Sequence, residues 1–129
     1  MPKDLTLPFD LEQMKHIIEH YPTPFHIYDE KAIRANARRF LKAFSWAPEF
    51  KEYFAVKATP NPYLLKILQE EGLGVDCSSM AELVLADKCG FRGEDIMLTS
   101  NETPVAEFAK AMELGGILNL DDITHIAYL

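Results

Sequence analysis

The stretch Leu73-Gly-Val-Asp-Cys-Ser-Ser-Met-Ala-Glu82, which continues in helical period to Lys88 and ends at Gly90, decides the fold. Its first five residues are short and mostly apolar, which is typical of a buried strand. Ser79 and Glu82 then have the spacing of a capping box at a helix N-terminus. Gly90 is the residue type that commonly follows the last turn of a helix. The stretch therefore predicts one strand followed directly by one helix.

The same pattern occurs on both sides of this stretch. A strand at Tyr53–Val56 precedes a helix that contains four apolar residues between 64 and 68 and stops at Gly72. A strand at Asp95–Thr99 precedes a helix from about Pro104 to Leu114, with Thr103 as its N-cap. A strand at Ile117–Leu120 precedes a further helix start at Asp121. Strand starts recur about every 20 to 22 residues, and such alternation implies a parallel sheet with right-handed crossovers.

The four strand–helix units allow two architectures. One is a complete small open α/β domain, and the other is half of a (β/α)₈ barrel, which takes about 250 residues for its eight units. The helix that begins at Asp121 has no cap before Leu129, which favours the half-barrel. We therefore expect an α/β fold in which parallel β/α units form the first half of a TIM-like barrel. Residues 48–129 would be this first, truncated part of the barrel.

Residues 1–47 form a lead-in segment in this interpretation. Apolar residues at helical spacing predict a helix over Leu11–Tyr21, ended by two prolines. Pro24–Asp29 alternates and predicts a short strand. Glu30 to about Ser45 returns to helical period. The segment is thus expected to be a helix, a strand and a helix that lead into the barrel.

Composition and charge exclude several classes of function. The net charge is -7 and the pI is about 5.0, without a basic patch, so we expect no nucleic-acid partner. No segment has transmembrane length and no signal peptide is visible, so we expect no membrane association and a cytoplasmic location. Cys77 and Cys89 form no CxxC motif and are expected to be small core residues. His16 and His20 share a helix face but lack an evident third ligand, so no metal site is expected.

Lys57 is the most informative residue at a strand end. Ligands of parallel α/β folds bind at the carboxyl ends of the strands. Strand alternation places Lys57 on one face with Ala55, while Phe54 and Val56 lie on the other face, packed under helices. Lys57 would then point into the barrel mouth, where a desolvated lysine can react with a carbonyl group. The alternative is a solvated lysine, since most lysines are exposed.

Asp76 and Glu82 accompany the next strand end. Asp76 lies nineteen positions after Lys57 and could instead start an Asx turn. Glu82 has a structural explanation as the fourth residue of the capping box. These residues alone do not decide between the functional and the structural interpretation.

Several ordered motifs resemble those of one family. Tyr53-Phe-Ala-Val-Lys-Ala58 resembles the pyridoxal-phosphate lysine motif of the fold type III (alanine-racemase-like) decarboxylases, and Gly74–Ser79 with Glu82 resembles their next motif. Thr23–Asp29 resembles the strand that opens these chains. The segments Thr99–Pro104 and Asn119–Asp122 look more like the diaminopimelate branch than the ornithine branch. Thr99-Ser-Asn-Glu-Thr103 departs from the Gly-Asn-X-Lys-Ser pattern of many diaminopimelate enzymes.

The resemblance implies a cofactor, a reaction and a set of residues. The cofactor would be pyridoxal 5'-phosphate, held by Lys57 as the catalytic residue, with Asp76 and Glu82 as further cofactor-binding residues. The reaction would be decarboxylation of a diamino acid, meso-diaminopimelate to lysine. The resemblance also implies a small amino-acid substrate and a homodimer of the full-length enzyme. The phosphate loop and the partner of the pyridine nitrogen would lie beyond Leu129.

Two other functions remain open at this point. A racemase or a pyridoxal-phosphate homeostasis protein can share this fold, and these differ mainly in the second half of the chain. A catalytically inactive relative that serves as a binding module is the third possibility, although the retention of Lys57 argues against it.

Overall fold

The computed structural model describes residues 7–129, and the side chain of Tyr128 is left out of the description. Within that range the chain forms five α-helices and one sheet of four parallel strands. The strands are β1 (Tyr53–Ala55), β2 (Gly74–Cys77), β3 (Ile96–Ser100) and β4 (Ile117–Leu120). The helices are α1 (Leu11–His20), α2 (Glu30–Ala43), α3 (Pro62–Glu70), α4 (Met80–Cys89) and α5 (Val105–Glu113). None of the described helices is long and apolar enough to cross a membrane.

The strand order in the sheet follows the order in the chain, β1-β2-β3-β4, and every pairing is parallel. A doubly wound open sheet instead reverses its strand order at a switch point. A sheet that always adds the next strand on the same side is the arrangement of a (β/α)₈ barrel. The four strands expected from the sequence are confirmed, the first three are each followed by an α-helix, and the strand order favours the barrel over the small open domain.

One face of the sheet carries the main core. Val75 and Cys77 of β2 and Ile96 of β3 are fully buried in one cluster with side chains of the three helices that follow the strands. Leu83 of α4 is also fully buried there. The other face carries the alternate residues of each strand. Strand alternation therefore separates a helix-covered face from a second face that is free to carry chemistry.

A second cluster attaches α2 to the sheet. Ala37 of α2 packs against Leu68 and Leu73. Leu68 lies in α3, and ion pairs also join α2 to the end of α3. Arg38 Nε lies 2.6 Å from Glu71 Oε2, and Arg34 Nη1 lies 3.1 Å from Glu71 Oε1. The helix expected at Glu30–Ser45 is therefore confirmed as part of the packed structure.

The strand expected at Pro24–Asp29 is wrong, because the chain forms no strand there. Alternation is a local pattern, but a strand also needs a hydrogen-bonding neighbour. The sheet formed by the described residues runs from β1 to β4 and leaves that segment without a partner strand.

Two other local expectations need correction. Thr103 is not the N-cap of α5, since the cap is Pro104 and the Thr103 hydroxyl donates instead to the Ser100 carbonyl at 3.0 Å. The helix expected from Asp121 is a 3₁₀ segment at Ile123–Tyr128. Its start is fixed by Asp122, whose carboxylate accepts the Thr124 N–H at 2.7 Å.

Candidate functional site

Lys57 lies at the carboxyl end of β1, as the sequence predicts, but in a different local structure. The strand ends at Ala55, and Val56–Ala58 forms a single 3₁₀ turn. Val56 is fully buried in the core and Phe54 packs against it, so both lie on the helix-covered face as expected. Lys57 itself is exposed. Because the turn interrupts the two-residue alternation, the strand pattern no longer fixes the direction of the lysine side chain.

Asp76 occupies the second face of the sheet, next to the end of β1. It pairs in register with Ala55 of β1 and with Met97 of β3, while its neighbours Val75 and Cys77 lie in the core. Its carboxylate is partly buried, and Oδ1 is fully buried without a hydrogen-bond partner among the described residues. A buried oxygen that lacks a donor is costly, so it indicates a position that a ligand or another group completes.

Glu82 is held against the loop that follows β2. Its Oε2 accepts the Ser78 N–H at 2.9 Å, and its own N–H donates to Ser79 Oγ at 3.4 Å. The capping box expected at Ser79 and Glu82 is therefore half formed. The serine caps the helix, but the glutamate binds the N–H of the residue before the cap. The carboxylate is thereby positioned by backbone rather than by solvent.

Glu107 is a contributor that the sequence reasoning missed. Its Oε1 accepts the Met80 N–H at 2.8 Å, so α5 supplies a carboxylate to the first turn of α4. A carboxylate at a helix N-terminus is stabilising, because the unpaired N–H groups there carry partial positive charge. The contact spans 27 positions. No local pattern could have revealed it, since a capping box places its acidic residue within the same turn.

Cys77 lies between Asp76 and Glu82 in the sequence, but its thiol is not reactive. Its side chain is fully buried. Burial, followed by the nearby charges of Glu82 and Asp76, raises the pKa of the thiol to about 12. The thiol is therefore protonated at neutral pH, and the thiolate is the reactive form. Cys77 is thus a core residue, as the sequence predicts, and not a nucleophile.

The ends of β3 and β4 are polar and adjacent. Asn119 Nδ2 donates to Thr99 Oγ1 at 3.3 Å on the second face. The loops beyond these strands enclose a polar cleft of about 350 Å³. His125 lines this cleft, is buried, and packs edge-on against Phe108 with 5.5 Å between ring centroids.

The structure brings Asp76 and Glu82 into one junction but leaves Lys57 separate from them. Among the described residues, no ion pair or hydrogen bond joins Lys57 to either carboxylate. Their shared position is the carboxyl edge of two neighbouring strands. That edge offers an amine, an unpartnered carboxylate oxygen and an anchored carboxylate.

The chain has a clear counterpart among known protein families. The model of the pyridoxal-binding domain of the pyridoxal-dependent decarboxylases matches residues 30–129. The chain belongs to this decarboxylase family. The expected cofactor, pyridoxal phosphate, is confirmed by the match.

Individual proteins are also similar to this chain. Protein TabA of Pseudomonas amygdali pv. tabaci is 50% identical over 102 residues, which are 79% of this chain and 24% of that protein. The diaminopimelate decarboxylase of Methanothermobacter thermautotrophicus is 34% identical over 114 residues, which are 88% of this chain and 27% of that enzyme. The chain therefore spans about a quarter of the length of these relatives.

A solved decarboxylase has the same fold as this chain. Diaminopimelate decarboxylase of Helicobacter pylori, complexed with L-lysine, superimposes with a TM-score of 0.81 at 25% identity. The match covers 89% of this chain and 29% of that chain. The α/β fold, with the chain as the N-terminal part of a barrel, is confirmed.

Proposed function

We propose that this chain is the lysine-bearing part of a pyridoxal-phosphate-dependent decarboxylase that converts meso-diaminopimelate to lysine. The observation that carries the proposal is the position of Lys57 directly after β1, beside the strand that carries Asp76. The diaminopimelate decarboxylases among the relatives support the substrate.

The residues at the strand ends fit this cofactor. Lys57 offers an exposed primary amine with no ion-pair partner in the described part of the chain. Asp76 offers a buried carboxylate oxygen that lacks a donor. An aldehyde needs a free amine to react with, and an unpartnered carboxylate needs a donor or a positive charge. Both requirements would be met when the site is complete.

Each residue has a distinct task in this proposal. Bound pyridoxal phosphate supplies an electron sink for the electron pair left at Cα when the substrate loses carbon dioxide. Lys57 would hold the cofactor through its ε-amine. Asp76 and Glu82 would lie near that amine and favour its charged form, because a neighbouring carboxylate stabilises an ammonium group. The hydrogen bond from the Ser78 N–H would keep Glu82 oriented while protons move.

The assignment of Lys57 is tested by covalent trapping. The purified chain is incubated with pyridoxal phosphate, reduced with borohydride and digested, and the labelled lysine is located by mass spectrometry. We expect the label on Lys57 and its loss in Lys57→Ala. Lys66→Ala is the matched control, since Lys66 is an exposed lysine on α3 and should leave the labelling unchanged. Labelling that persists in Lys57→Ala would contradict the assignment.

The substrate is tested on the full-length protein that contains this chain. Carbon dioxide release is measured from meso-diaminopimelate, L-ornithine and L-lysine, and we expect the diaminopimelate rate to be highest. A higher rate on ornithine or lysine would move the proposal to another decarboxylase. Labelling of Lys57 without carbon dioxide release from any of the three would favour a racemase or a homeostasis protein.

The 129-residue chain alone is proposed to be inactive. In this family, the residues that hold the phosphate and the pyridine ring follow the part that corresponds to residues 1–129. Measurable turnover of diaminopimelate by this chain would contradict that. We also propose that the full-length enzyme is a homodimer, that it is cytoplasmic, and that residues 1–47 lead into a barrel that begins at residue 48.

A further inference from the structure

Helix α1 carries a group of ligand-type side chains outside the residues that the decarboxylase family model matches. His16, Glu19 and His20 lie on one face, and one donor atom of each lies within 4.8 Å of the other two. The i, i+3, i+4 spacing places them one turn apart. We propose that these three residues bind one divalent ion of the zinc class. This inference goes beyond the proposed function and is independent of it.

The orientation of His20 supports metal binding. Its Nδ1 lies 2.8 Å from the His16 carbonyl oxygen. A carbonyl oxygen can only accept, so Nδ1 carries the proton and Nε2 keeps its lone pair. Histidines that bind metals commonly donate their other ring N–H to a carbonyl or carboxylate, which fixes the tautomer and the ring orientation. The helix backbone thus already holds His20 in a form that can bind a metal ion.

The set of donors selects the class of ion. Two imidazole nitrogens and one carboxylate oxygen suit zinc, cobalt, nickel or copper, whereas magnesium and calcium prefer oxygen ligands alone. Tetrahedral ligands at about 2.0–2.1 Å from a zinc ion are about 3.3 Å apart. All three side chains are exposed, so small rotations can bring the donor atoms to that separation. Three protein ligands leave a fourth position for water.

Glu19 is available for this role, because no ion pair engages it in the described part of the chain. The nearest lysine along the helix, Lys15, is paired with Glu12 at 3.3 Å. The Glu19 carboxylate is thus the oxygen donor that stands beside the two imidazole rings. The sequence expectation of no metal site rested on the histidine pair alone, and the structure adds Glu19 as the third donor.

Metal binding would also affect the helix itself. No side chain of α1 is buried, so tertiary packing gives it little support. A helix of ten residues is marginal in water without such support. An ion bound across one turn would fix that turn, so saturation should increase the helical signal in circular dichroism.

The test uses the purified chain without an affinity tag that contains histidine. Cobalt(II) is titrated and followed by its visible absorption, and zinc is then added in competition. We expect one ion per chain and a more negative ellipticity at 222 nm. His16→Ala and His20→Ala should each weaken binding by about tenfold or more, and Glu19→Gln by about threefold. His26→Ala, which removes an exposed histidine outside the group, should leave binding unchanged.

Three results would overturn the proposal. They are a stoichiometry other than one ion per chain, an equal loss of affinity in His26→Ala and His20→Ala, and binding that persists when His16, Glu19 and His20 are all replaced. Since all three side chains are exposed, these variants leave the packed core intact, and thermal unfolding of the metal-free chains provides the check.

Discussion

The junction between β1 and α3 and the junction between β2 and α4 have the same plan but are held differently. At the first, Lys57 lies in a 3₁₀ turn and is exposed, and the one side-chain cap is Asn61, which accepts the Tyr63 N–H at 2.9 Å. At the second, Glu82 accepts from Ser78, Ser79 caps the helix, and Glu107 reaches over from α5. The second junction is thus braced by a carboxylate from a neighbouring unit, whereas the side chain that reaches the first turn of α3 from α4 is the thiol of Cys89, which donates weakly to the Pro62 carbonyl at 3.9 Å.

The difference indicates a division of labour at the proposed site. Glu82 comes from a junction in which a backbone N–H fixes its carboxylate, and Asp76 is positioned by the pairing of β2 with both neighbouring strands. Lys57 comes from a junction with fewer side-chain contacts. A nucleophile that must reach a carbonyl group needs freedom to move, whereas a residue that orients charge works best when it is preorganised.

The largest effect is expected where the two junctions are alike, in the apolar layer beneath them. Leu65 of α3 and Leu83 of α4 are both fully buried. Leu65→Ala and Leu83→Ala should each lower the free energy of unfolding by about 2–5 kcal/mol, measured by urea denaturation. Leu11→Ala, at a side chain that is 70% exposed, should change it by less than about 0.5 kcal/mol. A much smaller loss for Leu65→Ala than for Leu83→Ala would mean that the apolar layer beneath the first junction is less tightly packed than that beneath the second.

The next largest effect is expected when the contact from α5 to α4 at the second junction is removed. Glu107→Ala removes the acceptor of the Met80 N–H and leaves a partly buried donor unpaired. We expect a loss of about 1–3 kcal/mol in urea denaturation. The control is Glu113→Ala, whose exposed carboxylate pairs with Lys110 on the same helix and should cost about 0.5 kcal/mol or less. Equal losses for the two variants would show that the contact between helices is not a brace.

A smaller effect is expected when the N-cap side chains of α3 and α4 are removed one at a time. Asn61 is the one side-chain cap of α3, at 2.9 Å, while Ser79 shares the start of α4 with two carboxylates and accepts at 3.4 Å. Asn61→Ala should therefore cost about 1 kcal/mol and Ser79→Ala about 0.5 kcal/mol. The reverse order in chemical denaturation would contradict the difference between the junctions.

The smallest effect concerns pH and the link between α2 and α3. Hydrogen bonds from Arg38 and Arg34 lower the pKa of Glu71 below its ordinary value of 4.5. The ion pairs therefore stabilise the fold fully above about pH 4.5, and this contribution is lost as the pH falls through the lowered pKa. Glu71→Gln should be less stable at pH 7 and should lose less stability on acidification. Glu102→Gln, at an exposed residue, should follow the wild-type pH profile.

Most of the fold could be predicted from the sequence because its signals are local. Helical spacing, the cap at Ser79 and the glycine at Gly90 lie within a few residues of the elements they define. The strand expected at Pro24–Asp29 failed because strand pairing depends on a neighbour that the local pattern does not contain. The expectation that the strand alternation extends to Lys57 was wrong for a related reason. The strand ends at Ala55, and no local pattern marks the 3₁₀ turn that follows it.

The candidate site was accessible from the sequence only in part. Lys57, Asp76 and Glu82 were found by their positions at strand ends and by resemblance. The contribution of Glu107 could not be, because it depends on how α5 lies against α4. The contact of Glu82 is local, but the capping-box pattern predicts the N–H of Ser79 as its partner, whereas the structure has the N–H of Ser78.

The strand order has a consequence for how the chain is made. Each strand pairs with the strand that precedes it, so a β/α unit finds its docking surface already present when it leaves the ribosome. Contacts between neighbouring units are short in sequence, which favours fast folding. The protein is therefore suited to assemble stepwise during synthesis from β1 onwards, each new unit covering the exposed edge of the previous one.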